Sequence, residues 1–269
     1  MLLDDFLVRS LIAGFLMVLI AAPMGCLMVW QKLAFLADTL GHAAILGVAI
    51  GLLMQWQPML GVLLVVLLIG LSMSHFIKVN DAITESTLAI ISHTGLAAGL
   101  LLLGFLPSYA VNLEAILFGD LLAVSLDDLR LIFSTVVVLL ILLFWHWRDF
   151  VAITVSWQIA QAEGVAVKRV RLLLILMIAL LIAVMMKVMG VLLIAAMLVI
   201  PTSAARLISS GPEQMALLAA IFGLAALFLG MYGSYQFDLM SGPAIVLAAT
   251  LLLVITLLMA RMLSYKKSE

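Results

Sequence analysis

The sequence predicts an all-α protein that crosses a membrane many times, and three observations lead there. Hydrophobic residues make up 67% of the 269 and charged residues only 10%, with a strongly positive mean hydropathy, a composition that does not describe a soluble globular domain. The apolar residues fall in successive runs of about 17 to 22, the length a helix needs to span a bilayer. The Lys and Arg residues gather on alternate connections between those runs, as cytoplasmic loops do. The formal net charge of -1 offers no basic field for nucleic acid. The single Cys26 excludes an internal disulfide and a thiolate metal site, and reads as a small apolar residue of the interior. After Asp4, Asp5 and Arg9 comes a full-length span with no small-residue cleavage site, so no signal peptide is expected. No GxxxxGK[ST] phosphate loop occurs, so ATP-driven work would need hydrolysis by another chain.

In order, spans are predicted near 8–29, 36–54, 59–77, 87–106, 129–147, 170–188, 190–208, 214–233 and 244–262, about nine in a single transmembrane domain covering 1–269. The run from Val170 to Ile200 holds two spans only if it turns sharply, with Lys187 and Gly190 as the hinge. Eight spans remain if one is re-entrant. With nine spans, the basic residues set the N-terminus outside and the C-terminus in the cytoplasm. Lys32, Lys78, Arg148, Lys168, Arg169, Arg171, Arg206, Arg261, Lys266 and Lys267 then lie inside, leaving Arg9, Arg130 and Lys187 outside. The outer surface collects Asp4, Asp5, Glu114, Asp120, Asp127, Asp128 and Asp238: either a vestibule that attracts cations and basic partner surfaces, or plain solvation.

Two connections stand out. Segment 107–128 is too polar to span and too apolar for a plain loop, so it is predicted as a short helix on the outer interface, interrupted at Gly119 and Asp120 and serving as a lid, a docking ledge or an anchor. The cytoplasmic connection 148–169 carries Gln158, Gln161 and Glu163 on a helical pattern, then Gly164 as a terminator, then a basic run; it is a loop helix or one that enters a partner's groove.

The candidate site lies in WQKLAFLADTLGHAAILGVAIGLL (30–53). Asp38 and His42, at i and i+4, share one helical face about 6 Å apart along the axis, close enough to hold one small cation. An ionisable residue inside a membrane marks a functional site by default. Equally, Asp38 could be the N-cap of its helix. His93 enters its span from the same side at similar depth, which adds it to the candidate ligands. Gly47 and Gly51 fall opposite Asp38 and His42, and Gly95 and Gly99 fall largely away from His93; these pairs would bury against neighbouring helices while the polar faces share a cavity. His75 and His146 sit at the inner ends of their spans and read as interface residues.

These residues carry a resemblance. DTLGHAAILGVAIG (38–51) is similar to the DTLxHS-LLG signature of the membrane permeases of zinc- and manganese-uptake ABC transporters, the ZnuB-like or ABC-3 family. ISHTGLAAGL (91–100), LFGDLLAV (117–124) and GVLLIAAMLVIPTSAARL (190–207) resemble further family motifs in the same order. One departure is visible: Ala43 and Ala44 follow His42 where the family has a serine, so a hydroxyl that would sit behind the ligands is absent. The resemblance implies a type II ABC importer-like fold in the bacterial inner membrane, working as a homodimer above two copies of a cytoplasmic ATPase and beneath a periplasmic or surface metal-binding protein. It implies that Gln161, Ala162, Glu163 and Gly164 belong to the segment that docks on the ATPase. The function expected is passage of a divalent metal, zinc foremost and manganese or iron as alternatives, through Asp38, His42 and His93. The ion is cargo, and neither a resident cofactor nor enzymatic activity is expected of this chain. An ion-coupled secondary transporter is the rival reading, although the matched inverted repeats of such proteins are not evident. No HExxH motif supports a membrane metalloprotease.

Overall fold

The computed structural model describes residues 6–76, 82–106 and 113–266, and every regular element among them is helical. In order these are α1 (Phe6–Trp30), α2 (Ala34–Leu53), α3 (Pro58–Phe76), α4 (Ala82–Gly104), α5 (Leu113–Phe118), a 3-10 turn (Leu121–Ala123), α6 (Leu126–Trp145), α7 (Trp147–Val155), α8 (Trp157–Ala162), α9 (Val167–Arg206), α10 (Pro212–Phe237) and α11 (Ser241–Lys266). Asp4, Asp5, Lys78 and Lys267 lie outside the described residues. Seven of the described helices are long and apolar enough to cross a membrane by length and composition, α9 counted once; the apolar stretch of α3, Pro58–Met73, is shorter. Large apolar side chains such as Phe133, Ile141, Phe228 and Leu251 are exposed on the outer faces, as lipid-facing positions require.

Helix ends follow local chemistry. Ser125 and Asp128 form a reciprocal capping box that starts α6. Pro212 opens α10 and Asp238, left-handed at φ 52°, closes it. The connection 148–169 contains two short helices rather than one, because Ser156 leaves helical geometry and its hydroxyl caps α8 by accepting from Ile159 N–H.

Glycines let the helices approach at backbone distance. A β-carbon on Gly47 would stand 2.5 Å from Val62 Cα, and one on Gly99 would stand 2.7 Å from the Leu46 nitrogen. Hence α2 is sandwiched between α3 and α4 along two glycine seams, as the small-residue spacing predicts.

The 40-residue α9 breaks at Gly190, whose φ of 70° and ψ of 162° are not helical. Arg171, near its start, lines a notch with Trp30 and Gln31, and Ala205, near its end, packs with Cys26 and Val29. Both ends therefore lie beside the same end of α1, and the chain doubles back at Gly190 where the sequence predicts a hinge. Gly119, also at positive φ (71°), meets this break directly: a β-carbon on either glycine would run into the other's backbone. The described part of segment 107–128 is therefore wedged at Gly119, just after α5, into the reversal of α9 rather than lying flat on the surface as expected. Lys187 Nζ adds a 2.7 Å ion pair to Asp128 Oδ1, tying the reversal to the start of α6.

Replacing Gly190 by Ala places a side chain in a conformation that costs about 1–3 kcal/mol for any residue but glycine, before the collision is counted. Gly190→Ala is expected to lower the unfolding temperature of the purified protein. Gly233→Ala, where an added β-carbon meets nothing within 4 Å, is not; equal unfolding temperatures for both variants would contradict the backbone contact.

Candidate functional site

The site is built on the first turns of α2. This helix begins at Ala34 with Leu33 as N-cap and no side-chain capping bond. Asp38 lies in the second turn, too far along to cap, so the capping reading is excluded. Its carboxylate turns toward the residue one turn ahead: His42 Nδ1 lies 3.5 Å from Asp38 Oδ2. A hydroxyl from α4 enters between them. Ser92 Oγ donates to Asp38 Oδ2 at 3.1 Å and stands 2.6 Å from His42 Nδ1. The adjacent Thr39 hydroxyl contacts the carbonyls of Phe35 at 2.8 Å and Leu88 at 3.0 Å, fixing the register of α2 against α4.

Asp38 and His42 face a cavity of about 380 Å³ whose walls also include Leu117 of α5, Val191 and Ala195 of α9 and Val246 of α11. The Asp38 side chain is 46% exposed and that of His42 21%, whereas Ser92 is 1% exposed. Among the described residues, Asp38 and His42 are the only ionisable side chains on a lining that is otherwise apolar. A carboxylate and an imidazole in such walls can take over part of the hydration shell of a small cation.

His93 is not brought to this pair. It is exposed on α4 and does not line the cavity, because one residue along a helix turns the side chain by about 100°. Among the described residues no group of three or more His, Cys, Asp or Glu is gathered closely enough to hold a metal. Ser92, which the sequence reading passed over, makes the contacts instead. A signal for it existed: Ser92, Gly95 and Gly99 stand at i, i+3 and i+7, on the single face α4 presents to α2. The hydroxyl missing after His42 is thus supplied from a different helix, while Ala43 packs against Gly95. His146 Nδ1 is 3.2 Å from the Leu142 carbonyl at the junction of α6 and α7. His75 lies in the last turn of α3, its side chain outside the described residues.

In the connection 148–169, Gln161, Ala162, Glu163 and Gly164 are all exposed. Gly164, at φ 90°, ends α8; the Val165 N–H bonds the Ala160 carbonyl at 2.9 Å. An added β-carbon on Gly164 would meet nothing, so its backbone conformation alone demands glycine. In the segment 107–128, exposed Asp120 accepts from Ala123 N–H at 3.2 Å and caps the 3-10 turn. Glu114 falls on α5, its side chain outside the described residues.

A bundle of membrane-length helices around an apolar cavity with one ionisable pair is the architecture of a transport permease. The family model for the ABC 3 transport family matches residues 3–260. The chain is 35% identical over 253 residues to the high-affinity zinc uptake system membrane protein ZnuB of Haemophilus influenzae, covering 94% of this chain and 97% of that protein. It is 28% identical over 248 residues to the manganese transport system membrane protein MntC of Halalkalibacterium halodurans, covering 92% and 85%. Among solved structures, PsaBC from Streptococcus pneumoniae in complex with Fab superposes with a TM-score of 0.81 at 28% identity, covering 93% of this chain and 90% of that one. The chain belongs to the ABC 3 transport family, and is a multi-span permease of the bacterial inner membrane.

Proposed function

We propose that this chain is the permease subunit of an ATP-driven importer of divalent metal, with zinc as the preferred cargo and manganese as the alternative. The observation that carries the reading is the Asp38–His42 pair turned into an apolar cavity. Carboxylate with neutral imidazole suits Zn²⁺ and also accepts Mn²⁺. The preference for zinc draws on the greater identity to the zinc-uptake relative than to the manganese-transport relative. The ion passes through as substrate, and no resident cofactor is needed. Two donors from one helix form an incomplete site, which suits transport because the ion must leave again.

The same reading gives the domain 1–269 nine spans with the N-terminus outside, counting α1, α2, α3, α4, α6, the two arms of α9, α10 and α11. His93 joins the pathway from the exposed face of α4. Imidazole beside Thr94 on an apolar helix calls for cover by protein or water, which a second copy in a homodimer supplies. ATP hydrolysis belongs to separate subunits that dock on Gln161, Ala162, Glu163 and Gly164. A metal-binding protein delivers the ion to the outer side, where Glu114 and Asp120 contribute to an acidic vestibule. Closure of the ATPases pushes α8, the push passes into the first arm of α9, and the arm beyond Gly190, which lines the cavity, moves in response.

Asp38→Ala and His42→Ala are expected to abolish zinc uptake into cells while the permease still assembles with its ATPase; normal uptake by both would remove the site. Joint replacement of Glu163 by Ala and Gly164 by Val is expected to leave ATP hydrolysis running without transport, and unchanged coupling would count against the docking role. Uptake that follows an ion gradient and needs no ATPase would favour the secondary transporter.

A further inference from the structure

We propose that Ser92 is a positioning residue that selects the tautomer of His42, so that Nε2 is the atom that meets the transported cation. The inference rests on the cation-site reading above. A serine hydroxyl has one hydrogen, and a carboxylate only accepts. The 3.1 Å contact from Ser92 Oγ to Asp38 Oδ2 therefore uses that hydrogen. The 2.6 Å contact between Ser92 Oγ and His42 Nδ1 must then take its hydrogen from the imidazole. Asp38 Oδ2, 3.5 Å from the same nitrogen, is a second acceptor facing it. A neutral ring protonated at Nδ1 carries its lone pair on Nε2, and the bond made by one ring nitrogen decides which one is left for a metal.

Ser92 does not touch the cation itself. It is 1% exposed and absent from the cavity wall, whereas His42 lines it. Its place is fixed by the glycine seam: Gly95 and Gly99 bring α4 against Ala43 and Leu46 of α2, and the Thr39 bond to the Leu88 carbonyl holds the register one turn earlier. Without the hydroxyl, Nδ1 loses its nearest acceptor. The ring is then free to carry its hydrogen on Nε2, with the lone pair turned toward buried α4 and useless to an ion in the cavity. Asp38 loses a donor at the same time, so both cation-binding groups become less well oriented.

The test uses the permease assembled with its ATPase, the permease alone labelled with ¹⁵N-histidine; it contains four histidines, and His42→Ala assigns the signal. Solid-state ¹⁵N NMR without metal is expected to find His42 protonated at Nδ1 and bare at Nε2, with zinc addition shifting Nε2. Ser92→Ala is expected to lose this preference and to raise the zinc concentration for half-maximal uptake about 10- to 100-fold, with little change in the maximal rate. Ser92→Thr is expected to restore both; should it fail to assemble, the Ser92→Ala spectrum still decides. A wild-type ring protonated at Nε2 would overturn the proposal, as would Ser92→Ala with unaltered tautomer and half-saturation. His42→Ala separates the two levels: if it too transports normally, the cation site itself is wrong, whereas a dead His42→Ala beside an unaffected Ser92→Ala removes only the role of Ser92.

Discussion

The glycine seam between α2 and α4 is the constraint on which the rest of the site depends. Inside a bilayer a polar side chain has no water to fall back on, so its partner must come from the protein at hydrogen-bond distance. Gly95 and Gly99 let the two backbones approach, so closely at Gly99 that an added β-carbon would collide with Leu46, and that proximity delivers the Leu88 carbonyl to Thr39 and the Ser92 hydroxyl to Asp38 and His42. A spacing wider by the width of a methyl group would break the 2.6 Å contact and leave two ionisable groups in an apolar wall with only each other. Packing and chemistry are therefore one arrangement here: the small residues that hold the helices together also orient the pair that faces the cavity.

A second backbone contact ties the site to the rest of the chain. Gly119 and Gly190 abut where α9 doubles back, and Leu117, two residues before Gly119, lines the cavity, as does Val191, one residue after Gly190. The arm of α9 before the break starts beside α8 and the exposed Glu163; the arm after it forms the cavity wall. The Asp128–Lys187 ion pair clasps this joint. The chain thus runs from α8 through a four-residue link into the first arm of α9, and from there to the cavity wall through a joint at Gly190 whose backbone conformation favours glycine.

Much of this was legible in the sequence, where its signal was local. The i, i+4 spacing of Asp38 and His42 put them on one face without knowledge of the fold, and the small-residue spacing at Gly47, Gly51, Gly95 and Gly99 marked the packing faces. Gly190 in an overlong apolar run announced a reversal, and Gly164 the end of α8. What escaped was non-local. Ser92 is an ordinary residue in an apolar helix, and its contacts are with two groups 50 and 54 residues away in sequence, whereas its neighbour His93 drew the eye by residue type and by a depth in its span similar to that of His42. The wedging of α5 into α9 was equally hidden, since it depends on two positive-φ glycines 71 positions apart meeting backbone to backbone. The pairing of Lys187 with Asp128 belongs to the same class.

Anomalous scattering at the zinc edge, from crystals of the permease bound to its ATPase and soaked in zinc, tests the central claim most directly because it locates the ion without reference to activity. The account predicts a peak in the cavity of each permease copy, about 2.0–2.2 Å from His42 Nε2 and from a carboxylate oxygen of Asp38. Zinc held elsewhere along the pathway, with Asp38 and His42 still turned only to Ser92 and to each other, would contradict it.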